Sequence, residues 1–123
     1  MYLNKYNEEN ILILNIESVH AVNKLDNLLK IPGVDAILIG SHDLSCSLGI
    51  PEQYENLKFF KIIEKIFKKA RTNKIGAGIH SWCDLDHHVK LINMGANMLI
   101  HKADITIFIE GIKKEIDYIK KRI

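Results

Sequence analysis

Four short apolar runs constrain this chain more than anything else in it: ILILNI at 11–16, VDAILI at 34–39, IGAGI at 75–79 and NMLIH at 97–101. None alternates apolar with polar residues, as a half-exposed antiparallel strand does. Continuous apolar runs of this length suit parallel strands covered on both faces. IGAGI is the poorest strand former of the four, because its two glycines weaken it.

Amphipathic patterns fill the gaps. Over 18–30, Val19, Val22, Leu25 and Leu28 share one face, Ser18 can cap the start, and Pro32-Gly33 stops the chain beyond it. Over 55–72, Phe60, Ile63, Phe67 and Ala70 form a stripe. Lys58, Lys61, Lys65, Lys68 and Lys69 turn mostly to water. From Asp84 to Met94 a third helix is expected, capped by Asp84 and stopped by Gly95. Over 104–122, Ile105, Phe108, Ile109, Ile112, Ile116 and Ile119 are expected to face inward. Asp104 is the expected cap there, and Lys120, Lys121 and Arg122 suit the negative end of the dipole. The opening MYLNKYNEEN reads as loosely helical, the tail of a helix before the first strand.

Strand and helix thus alternate four times over 1–123, read as a single domain of α/β class with a parallel sheet and right-handed crossovers. Two architectures fit: a small open α/β sheet, or half of a (β/α)8 barrel, since a whole barrel takes ~250 residues.

Composition excludes other classes. The net charge of +2 is scattered over helix faces, so no nucleic-acid surface is expected. No apolar run reaches the length of a membrane span, and no basic-then-apolar leader opens the chain. A cytoplasmic protein without a membrane partner is the expectation. Cys46 and Cys83 are isolated and read as free thiols.

In either architecture ligands bind at the C-terminal ends of the strands. Those ends read Asn15-Ile16-Glu17-Ser18, Gly40-Ser41-His42-Asp43, His80-Ser81-Trp82 and His101-Lys102-Ala103-Asp104. Glu17 and Asp43 follow neighbouring strands, which lie about 4.8 Å apart, so both carboxylates can reach one point. Unpaired they repel; a divalent cation removes the conflict, and oxygen ligands favour a hard ion such as Mg²⁺ or Mn²⁺. The same residues also fit a plainer role as N-terminal charges of the following helices, and spacing alone favours that role. Gly40, Ser41 and His42 offer backbone N–H groups near a helix start, suited to a carboxylate or phosphate, or simply to an ordinary cap.

Taken together, Asn15-Ile16-Glu17-Ser18, PGVDAILIGSHDLSCSLGIP and GAGIH resemble the HpcH/HpaI aldolase and citrate lyase family, over nearly the whole chain. The family pattern runs Q-I-E-S or Q-I-E-T, a helix, P-G-V-D, an apolar strand, G-P-x-D-L-S and S-x-G. The resemblance implies the second half of a (β/α)8 barrel, and class II pyruvate aldolase chemistry on 2-keto-3-deoxy sugar acids or related hydroxy-keto acids. It implies that Glu17 and Asp43 ligate Mg²⁺ or Mn²⁺ and that Gly40, Ser41 and His42 frame the carboxylate of a pyruvate-type 2-oxo acid. Asn15, where the family usually has Gln, would lie beside them. The ion would act as a Lewis acid while carbon–carbon cleavage leaves a pyruvate enolate. The family's base and substrate-binding Arg belong to the other half, so no catalytic base is assigned. The implied partners are a second copy, in a homo-oligomer, or a complementary N-terminal half-barrel. The alternatives are an inactive remnant or interaction subunit that keeps the fold, and a small open-sheet binding domain.

Other residues have plainer readings. His80 and His101 end strands and read as cleft-lining polar groups more readily than as an acid or base. For His42 the backbone matters more than the ring, and His20 reads as helix surface. Cys83, His87 and His88 have zinc-like types but only one helix behind them, so a solvated face is expected. Trp82 fits a pocket wall and a core cap equally.

Overall fold

The computed structural model describes residues 2–123. In chain order the elements are α1 (Tyr2–Glu9), β1 (Ile13–Ile16), α2 (Val19–Asn23), α3 (Leu25–Leu28), β2 (Ala36–Gly40) and α4 (Ser41–Ser47). Then follow α5 (Leu57–Thr72), β3 (Gly76–Ser81), α6 (Leu85–Asn93), β4 (Met98–His101) and α7 (Asp104–Lys120). The strands form one parallel sheet in the order β1-β2-β3-β4.

Consecutive parallel strands joined by crossovers of one hand carry their helices on the same face. Burial follows that rule. Ile37 and Ile39 are fully buried, while their neighbours Ala36, Leu38 and Gly40 are half-buried. Ile16, Ala77 and Ile79 extend the buried row across the sheet. Against it pack Val22, Leu25 and Leu29, then Leu44, then Phe59, Ile63, Ile66, Phe67 and Ala70 of α5, and Leu91 of α6. The sheet is therefore covered on one face, not on both. That is the architecture of four βα units from a (β/α)8 barrel, in which the uncovered face looks into the barrel. The two glycines of β3 suit that face. A side chain at Gly78 would meet Met98 Cε at 2.5 Å and Leu38 Cδ1 at 3.2 Å.

Several expectations are corrected. The helix over 18–30 is two short helices meeting at Lys24; Ser18 does cap the first, accepting from the Ala21 N–H. α5 starts at Leu57 with Asn56 as its cap, and it buries Phe59 and Ile66 while Phe60 is only half-buried. The turn after β2 is itself a helix, α4. Asp84 caps α6 through the His87 N–H, and Gly95 follows α6 at φ +115°. Asp104 is not a cap: it lies in the first turn of α7, where Ala103 holds the cap position.

The largest correction concerns α7, which buries none of its residues. Ile105, Phe108, Ile109, Ile112, Ile116 and Ile119 are all exposed. The groove such a helix fills lies between its own strand and the next, and among the described residues no strand follows β4. No described helix is long and apolar enough to cross a membrane.

Candidate active site

The C-terminal ends of the strands open into a cleft of about 620 Å³ lined by Asn15, Glu17, Gly40, Ser41, His42, Asp43, Glu52, Tyr54, His80 and Trp82 among others. The structure thus brings together every metal and substrate residue expected from the sequence.

Each is placed by local chemistry. Register pairs Asn15 with Leu38 and Gly40 with His80, so these side chains project from the uncovered face. Glu17 lies just past β1, and its carboxylate accepts a hydrogen bond from Asn15 Nδ2 at 2.6 Å. Asn15 is therefore a clamp on Glu17. Glu17 also lies over Gly40: a Cβ there would sit 3.0 Å from Glu17 Cβ and 3.1 Å from Oε2. Glycine is needed for that approach, not for an unusual backbone, since its φ is −78°. Asp43 occupies the first turn of α4, where the helix dipole favours a carboxylate.

Buried Ser41 donates its hydroxyl to the His80 carbonyl and ties the start of α4 to the end of β3. Buried Ser45 works below. Its hydroxyl donates to the His42 carbonyl at 2.7 Å and accepts the Glu52 N–H at 2.9 Å. This holds Glu52 in the left-handed region at φ 58° and brings its carboxylate 3.5 Å from His42 Nδ1. The His42 ring thus lines the cleft beside Glu52. Tyr54 stands beside them, its phenol pKa raised by burial and, secondarily, by Glu52.

Glu17 and Asp43 share the cleft, and among the described residues neither is paired with Lys, Arg or His. Among the described residues there is no cluster of three or more His, Cys, Asp or Glu that could hold a metal by itself. Two carboxylates could offer hard oxygen ligands and would leave positions for water or substrate. Such ligands suit a hard divalent cation that keeps several non-protein ligands.

Some histidines lie elsewhere. His87 and His88 are buried, not solvated as expected, because α6 turns that side onto the sheet. His87 Nδ1 pairs with Glu55 at 2.6 Å, and this bond, with Lys90 second, lowers the Glu55 pKa. His88 meets His101 edge-on at 4.8 Å and lies outside the cleft. Trp82 is 40% exposed and forms a cleft wall, not a core cap.

The model of one protein family, described as HpcH/HpaI aldolase/citrate lyase, matches residues 3–110. The chain belongs to the HpcH/HpaI aldolase/citrate lyase family. A 2-keto-3-deoxy-L-rhamnonate aldolase of Klebsiella pneumoniae is 28% identical over 119 residues, which are 97% of this chain and 44% of that protein. Among solved structures, an HpcH/HpaI aldolase from Desulfitobacterium hafniense superposes with a TM-score of 0.86 at 30% identity, covering 97% of this chain and 46% of that one. A family protein from Burkholderia cenocepacia shares the fold, with a TM-score of 0.88 at 19% identity and coverage of 97% and 46%. The chain spans about half the length of the relatives it matches.

Glu52 and Tyr54 were missed in the sequence. They sit in the turns between α4 and α5, where no periodicity marks a residue as facing the site.

Proposed function

We propose that this half-barrel carries the metal and 2-oxo-acid site of a carbon–carbon lyase of the aldolase type. The observation that carries the reading is the placement of Glu17 and Asp43 in one cleft without a cationic partner. The family membership and the aldolase named among its relatives support the same chemistry.

Glu17 and Asp43 would hold the divalent cation, Mg²⁺ or Mn²⁺. When bound, such an ion supplies Lewis-acid stabilisation of the negative charge that develops as a carbon–carbon bond breaks beside a 2-oxo group. Asn15 keeps the Glu17 carboxylate in one orientation. Gly40 leaves room for that carboxylate close to the strand end. Backbone N–H groups at Ser41 and His42, in the first turn of α4, would receive the carboxylate of the 2-oxo acid. The site residues of this half bind and orient the oxo-acid end; none is assigned as the base.

The remaining strands of the barrel would come from further chain, from a complementary half-barrel or from a second copy. The uncovered α7 favours a second reading, in which the chain is an interaction subunit or inactive remnant that keeps the fold.

Oxaloacetate decarboxylation separates the two, because it produces the pyruvate enolate without removing a proton from a hydroxyl. With Mg²⁺ or Mn²⁺, the wild type should exceed a metal-only blank, and Asp43→Asn should return the rate to that blank. A wild-type rate equal to the blank would reject the enzyme reading for this chain alone.

A further inference from the structure

From the geometry of β3 we infer that His80 is the specificity-determining residue for the far end of the substrate, selecting an uncharged, hydroxylated chain; this rests on the 2-oxo-acid reading above. His80 pairs in register with Gly40 and lines the same cleft as Glu17 and Asp43. Glu17 lies past β1 and His80 stands on β3, two strand spacings away, which is about 10 Å. A short carbon chain held at its oxo-acid end by the Glu17 side reaches across that span.

The imidazole is fixed in one orientation. Its Nε2 lies 3.0 Å from the Lys102 carbonyl. A carbonyl only accepts, so Nε2 carries the proton, and in the neutral ring Nδ1 is left as an acceptor. Among the described residues Nδ1 has no hydrogen-bond partner. The Lys102 carbonyl is itself held, since Lys102 sits in the left-handed region at φ 48°, its N–H donates to the Ser81 carbonyl, and its ammonium is tied to Glu110 at 2.7 Å. The ring lies tilted against Trp82, with centroids 4.8 Å apart and planes at 32°. Two of the three non-glycine residues with positive φ, Glu52 and Lys102, thus serve this cleft, one by lining it and one by orienting His80.

Such a wall has a definite preference. An imidazole acceptor needs a donor, which a hydroxyl supplies and a methylene does not. A site built to hydrogen-bond a hydroxyl discriminates against the analogue that lacks it. Among the described residues no Lys or Arg lines the cleft, and Glu52, which is not one of the proposed metal ligands, adds a carboxylate to its wall, so a phosphate or second carboxylate at the far end meets no cation of this half and one like charge.

Trp82 is the chain's one tryptophan, and its emission reports directly on this wall. The probes are three 2-oxo acids titrated with Mg²⁺: 2-keto-3-deoxygluconate, its 6-phosphate, and 2-oxohexanoate, which has the same carbon count and no hydroxyls. For the wild type, 2-keto-3-deoxygluconate should bind about 10-fold more tightly than either of the others, the loss expected for one unmet hydrogen bond. His80→Leu should bring it within about 2-fold of 2-oxohexanoate. His80→Gln, which can still donate to Lys102 and accept from a hydroxyl, should restore most of the preference. A merely structural His80 would instead lower the affinity of all three acids together in both variants, and that result overturns the inference. Equal wild-type affinities, or tighter binding of the phosphate, overturn it while leaving the 2-oxo-acid site standing. If none of the three binds, and oxaloacetate is not decarboxylated by the same preparation, the inference falls together with the reading on which it rests.

Discussion

At the scale of single residues, the site depends on short-range fits. Gly40 is the sharpest. Its backbone suits alanine, but the added methyl would sit 3.0 Å from Glu17 Cβ and 3.1 Å from its carboxylate Oε2. Gly40→Ala should therefore fold with little change in stability, while its Mn²⁺ affinity falls about 10-fold, as when a supporting contact of a metal ligand is lost. Calorimetric titration with a parallel melting curve checks both halves of that statement. The cysteines make a second test. Cys46 is exposed, whereas burial raises the Cys83 thiol pKa. A thiol reagent at pH 7.5 should label Cys46 first, read by peptide mapping. Glu17, Asp43 and Gly40 were legible in the sequence because they sit at strand ends, where βα units collect ligands. Asn15 was legible as a neighbour, but its bond to Glu17 was not, since spacing does not say which carboxylate a side chain will meet. Nor did the sequence reveal the ring of His42, whose partner Glu52 depends on a backbone held by Ser45.

At the scale of elements, α5 and α6 hold the sheet in place. Phe59 is fully buried where α5 meets the core, so Phe59→Ala should cost about 3–5 kcal/mol in a denaturant melt. On α6, His88 is buried with Nε2 unpartnered, and its pKa is lowered first by burial and then by His101 and His87. The unfolded chain then binds a proton at a pH where the folded chain does not. Stability from this residue is full above the ordinary histidine value of 6.5 and is lost as pH falls through the lowered one. The melting temperature should drop between pH 7 and pH 5, and His88→Leu should make that drop shallower. An unchanged slope in the variant would deny His88 this role. Strands and helices were read from periodicity with bounds off by a residue or two. The failures have separate causes. α4 was read only as a helix start without an extent, because seven residues show too little pattern. The buried side of α6 was misread because two histidines look polar.

At the scale of the whole molecule, the described residues form four parallel strands with helices on one face, and among them nothing pairs the two outer strand edges or covers the apolar helix α7. A large exposed apolar face drives association. Sedimentation velocity at micromolar concentration should show species heavier than a monomer, and Phe108→Glu with Ile112→Glu should shift the balance toward monomer. The alternation of strand and helix was legible as half a barrel because the chain is too short for a whole one. The fate of α7 was not, because an amphipathic stripe specifies that something covers it and is silent on whether that cover lies in the same four units. The site is different in kind: both proposed metal ligands lie within this half.

Mn²⁺ binding followed by the electron paramagnetic resonance signal of the free ion tests that point most directly. The wild type should take up about one ion per chain, a stoichiometry set by a single pair of carboxylates, and Glu17→Gln and Asp43→Asn should each abolish the uptake. Uptake that persists in both variants, or a wild type that leaves the free-ion signal unchanged, would contradict a metal centre built on Glu17 and Asp43.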